Sequence, residues 1–291
     1  TGTCRQAGRV IGRRMKAALV QLNVTDTPAR NLAGTVDMVN DAASGGAQFI
    51  LTPEVTNCVS TNRAYQRDVL ADEDHDMTLA ALRDVARNKS VWLLIGSLGL
   101  KTDDADGRFA NRSFLIGADG SIEARYDKIH MFDVDIDATE SYRESQGYRP
   151  GEEAVVAEAP FGKIGMSICY DMRFPKLYQA LADSGAEIIT VPAAFSPVTG
   201  AAHWHTLLRA RAIETGCFVL APAQTGEHAS EKHKTRKTYG HSLVVAPWGE
   251  VILDAGEEPG VYPFEMDMSR VAEARRRVPS LANRRVFRAP S

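Results

Sequence analysis

The chain alternates short apolar runs with amphipathic stretches along most of its length. Runs of strand length fall at 16–22, 48–52, 91–97, 161–168, 187–191, 217–221 and 261–266. Continuous apolar runs this short, bounded by turn residues, read as strands buried on both faces. Between them, residues 31–43, 63–88, 174–182 and 203–215 carry apolar positions at helical spacing. Pro28 and Pro175 stand near helix starts, where a missing N–H costs nothing, and Gly45-Gly46 closes the first helix. Residues 112–117 with 121–126, around Asp119-Gly120, read as a hairpin, and so do 241–246 with 250–255, around Pro247-Trp248-Gly249. Residues 269–277 read as a last helix capped by Ser269. Two stretches lack a period. Residues 132–150, rich in Asp, Glu and Tyr, read as a long loop of the kind that carries function, and 227–237 as a charged, mobile loop.

One echo organises these elements. Ser113-Phe-Leu-Ile is followed after three residues by Gly120, and Ser242-Leu-Val-Val after three residues by Gly249. The chain therefore reads as two similar halves, each with buried strands, helices and a hairpin. Two sheets packed face to face, with helices outside, would bury every apolar strand. No Pro/Gly/Ser-rich linker separates the halves, so we expect one α/β domain over 15–291. Residues 1–14 hold four arginines, no acidic residue and no apolar core of a secretory signal. We expect them to be an N-terminal extension, non-native or disordered, with an organelle-targeting remnant as the second reading.

Composition narrows the function classes. Hydrophobic content of 44% and charged content of 24% are those of ordinary globular proteins. A net charge of −3, from 34 basic against 37 acidic residues, gives no footprint for nucleic acid or an anionic membrane. No apolar run approaches the roughly 18 to 20 residues needed to span a bilayer. The four cysteines are scattered without a CxxC pair, which points to a reducing compartment, the cytoplasm, and not to a disulfide framework.

The chemistry centres on Gly165-Met-Ser-Ile-Cys169-Tyr-Asp-Met-Arg173. Cys169 sits where a strand turns into a helix, a position that presents a side chain and lies near unpaired N–H groups. Such a site lowers a thiol pKa and makes a nucleophile; a buried core cysteine is the competing reading. Glu54 and Lys128 also stand at ends of apolar strands, where sheet architectures assemble sites. Glu54 could take the thiol proton, and Lys128 could stabilise first the thiolate and then an oxyanion. Glu144 could orient Lys128 or help position water. Taken singly, each charged residue is more often a solvated surface group. Arg173, four residues past Cys169 and so one α-helical turn on, could face the same pocket and bind a carboxylate; a surface ion pair is its other reading.

Leu51-Thr52-Pro53-Glu54, Tyr126-Asp127-Lys128-Ile129-His130-Met131-Phe132-Asp133 and Cys169-Tyr170-Asp171-Met172-Arg173-Phe174-Pro175 resemble the three signature motifs of the nitrilase superfamily of carbon–nitrogen hydrolases. The similarity runs from Met15 to about Arg285. Ala202-His203-Trp204, Arg209-Ala210-Arg211-Ala212-Ile213-Glu214, Tyr239-Gly240-His241-Ser242 and Pro247-Trp248-Gly249 look like its Nit branch. The resemblance implies a four-layer αββα sandwich that forms homo-oligomers, dimers or higher. It implies Glu54 as general base, Lys128 as oxyanion-stabilising cation, Cys169 as nucleophile and Glu144 as supporting glutamate. It suggests a small 2-oxo acid amide whose carboxylate meets Arg173, and it calls for no cofactor and no metal; Tyr170 and Tyr142 are expected at the substrate, Tyr142 as a pocket wall, with plain packing as its competing reading.

One departure stands out, since Nit-branch proteins usually carry Glu where His205 follows Trp204. His203-Trp-His205 invites a metal reading, but no carboxylate or CxxC partner is near in sequence. Two further readings compete with the amidase. One is a papain-like hydrolase using His130, His203 or His241 as base, which would leave Glu54 and Lys128 idle. The other is a catalytically silent scaffold working through protein contacts, against which the intact trio argues.

Overall fold

A computed structural model of the protein describes residues 14–136, 141–230 and 234–288. The expected extension falls almost wholly on 1–13, outside the described residues, while Arg14 already opens the first strand. The first half runs β1 (Arg14–Gln21), α1 (Pro28–Ser44), β2 (Phe49–Leu51), α2 (Arg63–Val69), α3 (Met77–Lys89), β3 (Trp92–Leu100), β4 (Ala110–Ile116) and β5 (Ile122–Asp127). A small hairpin, β6 (Asp133–Asp135) with β7 (Ser141–Arg143), follows. The second half runs β8 (Val155–Ala159), β9 (Gly162–Met166), α4 (Pro175–Asp183), β10 (Ile188–Thr190), α5 (Pro197–Thr215), β11 (Phe218–Ala221), β12 (Thr225–His228), β13 (Arg236–Tyr239), β14 (Leu243–Val245) and β15 (Val251–Asp254). β16 (Gly260–Asp267) and α6 (Ser269–Arg277) complete it.

Two six-stranded sheets result, in the orders β16-β1-β2-β3-β4-β5 and β15-β14-β11-β10-β9-β8. Each has three parallel strands joined by helical crossovers, an antiparallel pair on one side of them and a single antiparallel strand, β16 or β8, on the other. Period-two alternation sorts the side chains of β1. Ala17 and Leu19 join Phe49, Leu51 and Leu94 in the core shared with the second sheet. Ala18 and Val20 face the other way and pack with Val39 and Ala42 of α1 and Leu79 and Leu82 of α3. On the second sheet, Tyr178 and Leu181 of α4 and Trp204 and Leu208 of α5 join the core built on β9, β10 and β11. Each fully buried Leu or Ile contributes roughly 1.5–3 kcal/mol, so these faces dominate the stabilisation. The layers run helix, sheet, sheet, helix: the αββα sandwich.

The echo in the sequence marks equivalent turns. Gly120 (φ +82°) and Gly249 (φ +94°) take the left-handed backbone that closes β4–β5 and β14–β15. Their N–H groups donate to the carbonyls of Gly117 and Ala246 at 2.9 and 2.8 Å.

Three expectations change. The stretch 63–88 is two helices, because Asp76 caps α3 by accepting from the Leu79 N–H at 2.8 Å. The long loop 132–150 holds β6, β7 and a 3-10 turn at Glu144–Gln146. The charged loop 227–237 is largely the β12–β13 hairpin, with 231–233 outside the described residues. Short strands built almost wholly of polar residues carry no apolar alternation, which is why the pattern misses them.

Candidate active site

Glu54 follows β2 by three residues, Cys169 follows β9 by three, and Lys128 directly follows β5. All three are buried, at 4, 7 and 2% exposure. They meet between the two sheets because Gly96 of β3 lets the loops approach. A Cβ there would lie 2.0 Å from the Thr52 carbonyl oxygen and 2.6 Å from the Pro192 side chain. The Pro192 carbonyl in turn accepts the Cys169 N–H at 2.9 Å. Backbone strain concentrates at the same place. Val55 (φ +49°) and Cys169 (φ +48°) are two of only four non-glycine residues with positive φ among the described residues. Strain of this kind costs about 1–3 kcal/mol per residue and persists where the surroundings impose it.

The hydrogen bonds fix the charged groups. Lys128 Nζ donates to Glu54 Oε1 at 2.9 Å and to both Glu144 oxygens at 3.0 and 2.9 Å. Asn111 Nδ2 donates to Glu54 Oε1 at 2.9 Å and to Glu144 Oε1 at 3.3 Å. The Ala194 N–H reaches Glu54 Oε2 at 2.8 Å, and the Phe132 N–H reaches Glu144 Oε2 at 2.7 Å. Neither carboxylate can swing, and the ammonium is aimed.

Electrostatics then set the protonation states. Burial works against the Glu54 carboxylate, but Lys128, with help from Arg236 and a hydrogen bond from Cys169, outweighs it and holds the carboxyl below its usual range. Burial also opposes the Lys128 charge, yet Glu144 and Glu54 push its pKa well up. The Cys169 thiol is raised well above its ordinary value, by burial first and by the Glu54 charge second, with Lys128 opposing. The sequence-based expectation of a lowered thiol pKa is thus reversed. The resting state is thiol, carboxylate and ammonium. Moving the thiol proton to Glu54 removes the negative charge that most opposes the thiolate and leaves it beside Lys128.

This arrangement has a measurable signature. Alkylation of Cys169 by iodoacetamide should rise as Glu54 ionises, below the ordinary carboxylate range of about 4.3, and then stay flat. A sigmoidal increase centred near the free-thiol value of about 8.5, followed by mass spectrometry, would contradict the assignment.

A cavity of about 670 Å³ opens onto the trio. Phe132, Tyr142 and Tyr170 form an aromatic wall, with Phe132 centred 5.0 Å from each tyrosine ring. Arg63, Arg143, Lys234, Arg236 and Lys237 also line it. Arg236 Nη2 donates to the Ala194 carbonyl at 2.6 Å, and its guanidinium lies 5.7 Å from the Tyr142 ring. Its Nε is buried without a hydrogen-bond partner among the described residues.

Glu54, Lys128, Cys169, Glu144, Tyr170 and Tyr142 therefore come together, as the sequence suggested. Arg173 does not line this cavity. It lies 3.3 Å from His203 Nδ1, with its guanidinium 5.8 Å from the Tyr170 ring and 5.5 Å from the Phe195 ring. The reason is local: Cys169–Arg173 is a 3-10 helix, in which residues three apart eclipse and residues four apart diverge. His130, His203 and His241 also stand outside the cavity, which removes the base of the papain-like reading. His130 stacks on Phe174 at 3.6 Å and meets Asp171 through Nδ1 at 2.7 Å.

Sequence reasoning missed Asn111, Arg236 and Asp171. Asp171 is fully buried and ties the two signature loops together. It accepts from the Ile168 N–H (2.8 Å), the Tyr126 hydroxyl (2.7 Å) and the His130 N–H (3.0 Å). A charged residue inside an apolar strand-to-helix turn was the available signal for it. Arg236, inside a polar hairpin, offered none.

A hidden thiol with a fixed carboxylate and ammonium beside it has the chemistry of a thiol-dependent hydrolase. The model of the carbon–nitrogen hydrolase family matches residues 16–276. The chain belongs to that family, in the nitrilase superfamily, and is an amide-cleaving enzyme. It is similar to a deaminated glutathione amidase of Yersinia enterocolitica, 40% identical over 270 residues that cover 92% of each chain. The crystal structure of the C. elegans NitFhit protein superposes with a TM-score of 0.86 at 34% identity, covering 94% of this chain and 65% of that one. Saccharomyces cerevisiae Nit3, a member of branch 10 of the nitrilase superfamily, superposes with a TM-score of 0.80 at 28% identity, covering 91% and 94%.

Proposed function

We propose that the chain hydrolyses the amide bond of a small carboxylate-bearing substrate, a 2-oxo acid amide such as deaminated glutathione, through a Cys169 thioester. The observation that carries this is the convergence of Lys128 Nζ, 2.9 Å from Glu54, with Cys169 on one cavity whose rim is cationic. Glu54 takes the thiol proton as sulfur attacks the carbonyl carbon. Lys128 stabilises the oxyanion; such electrostatic stabilisation is usually the largest catalytic term. The proton passes from Glu54 to the departing amine or ammonia. Water, deprotonated by Glu54 and positioned with the help of Glu144, then attacks the thioester, and the thiol returns.

Charge selects the substrate. Glu54 and Glu144 are both engaged by Lys128 and Arg143 is paired with Asp135, which leaves Arg63 and Arg236 on the cavity without an ion pair to a carboxylate among the described residues. A substrate carboxylate fits that role, with Arg236 as its main partner in place of Arg173. Arg236→Gln is expected to raise KM for acidic amides roughly tenfold to a hundredfold, the worth of one charge-assisted hydrogen bond, while KM for neutral amides stays. Equal changes for both classes would remove the carboxylate assignment.

A panel of 2-oxo acid amides, neutral amides, nitriles and N-carbamoyl acids, assayed for amine or ammonia release, tests the proposal. Preference for the acidic amides is expected; preferred turnover of nitriles or carbamoyl acids would overturn it, and no turnover of any would favour a silent scaffold. No helix of the described residues is long and apolar enough to cross a membrane. Cys58, Cys169 and Cys217 are unpaired, which suits a reducing, cytoplasmic setting. The exposed apolar Val198 and Ile213 on α5, with Trp248 nearby in the β14–β15 turn, support self-association as a dimer or larger homo-oligomer.

A further inference from the structure

We propose that His205, His241 and Asp254 form a binding site for one divalent transition-metal ion of the zinc class, outside the catalytic cavity. Their ligand atoms lie within 4.8 Å of one another. His205 Nε2 stands 3.0 Å from Asp254 Oδ2, and His241 Nδ1 stands 2.9 Å from Asp254 Oδ1. Neighbouring ligands around an ion bound at about 2.1 Å are roughly 3.0–3.4 Å apart, so each imidazole is already at ligand spacing from the carboxylate. The two imidazole nitrogens lie no more than 4.8 Å apart and would have to close to about 3.4 Å to share one ion. Glu257, whose carboxylate is 4.0 Å from His241 Nε2, adds a further negative charge.

The three residues come from separate elements, which a scan for sequential spacing does not see. His205 is on α5, His241 precedes β14, and Asp254 ends β15. His203 takes no part, because residues two apart on a helix face different ways, and it meets Arg173 instead. His241 is pre-positioned. It holds a left-handed backbone (φ +53°), donates its N–H to Gly256 at 2.6 Å, accepts the Trp204 indole N–H at 2.8 Å, and stacks on Tyr239 at 4.5 Å. A non-glycine residue kept in that conformation by three separate contacts is the kind of strained, over-determined position found at ligand sites. Two imidazoles and a carboxylate suit zinc, cobalt or nickel and not calcium or magnesium. The ion would tie α5 to the β14–β15 hairpin, and Pro197, Val198 and Thr199 at the start of α5 line the catalytic cavity.

The test is a titration of the full chain with Co²⁺, carried in a Cys169→Ala background so that the active-site thiol contributes no ligand. Visible d–d absorption saturating at one equivalent is expected, weakened at least tenfold by His205→Ala and by His241→Ala. A matching rise in Tm with Zn²⁺ should vanish in the same variants. His205→Gln, which keeps side-chain bulk and a donor for Asp254, serves if an alanine variant fails to fold. No absorption up to millimolar Co²⁺, or titrations indistinguishable between parent and histidine variants, would overturn the site.

Discussion

Cys169→Ala is expected to eliminate amide hydrolysis, at least 10⁴-fold in kcat, while Tm stays within a few degrees of the parent or rises. The nucleophile forms the covalent bond, and neither Glu54 nor Lys128 can replace it. The fold does not need the sulfur. Cys169 donates its backbone N–H to Pro192, and alanine keeps that bond. The thiol is held well above its ordinary pKa by burial and by the Glu54 charge, so it stays neutral and its loss leaves no charge unpaired. Retained turnover in the purified variant, measured as amine release, would rule out Cys169 as nucleophile.

Lys128→Met should act on both activity and stability. It removes the cation for the oxyanion and leaves the buried Glu54 and half-buried Glu144 carboxylates beside each other without the ammonium that pairs them. Breaking a buried pair in this way costs about 3–5 kcal/mol. The pH dependence has a definite sign. In the parent, Glu54 is depressed, so its contribution is present above its unfolded pKa and is lost as pH falls through the lower folded value. In the variant burial acts on Glu54 without the opposing Lys128 charge and raises its carboxyl, so the variant is least destabilised at low pH and loses stability as pH rises through the carboxylate range. Urea midpoints from pH 4 to pH 8 check this. A pH-independent difference between variant and parent would remove the ion-pair account.

The fold was readable in the chain wherever burial dictated the pattern. β2 and β10 are buried throughout, and β1 and β9 apart from Arg14, Lys16 and Lys163, so their apolar runs are plain in the chain, and the repeated turn glycines disclose the two-fold build. Of the site, the residues at strand ends were visible because a charge next to an apolar strand is unusual. What stayed hidden depends on three-dimensional closure. Asn111 looks like an ordinary polar residue of a hairpin strand until β4 lies beside the Glu54 loop. Arg236 sits in a polar hairpin, and only packing brings it over Tyr142. The direction of the Cys169 shift was misjudged for a related reason: a helix N-terminus favours the thiolate, but burial against a carboxylate outweighs it. The α-helical spacing misplaces Arg173 because its segment is 3-10, and Asp254 meets His241 only through the β14–β15 register and His205 only through the packing of α5.

The central claim is that sulfur at position 169 carries the acyl group. Enzyme turning over a 2-oxo acid amide should be quenched in acid within the first turnovers, digested, and the peptide containing Cys169 weighed. The expected result is a mass increase equal to the acyl portion of the substrate, up to one per chain, on that cysteine alone. Continued product release with no acyl group on Cys169, or with the adduct on another residue, would contradict the mechanism.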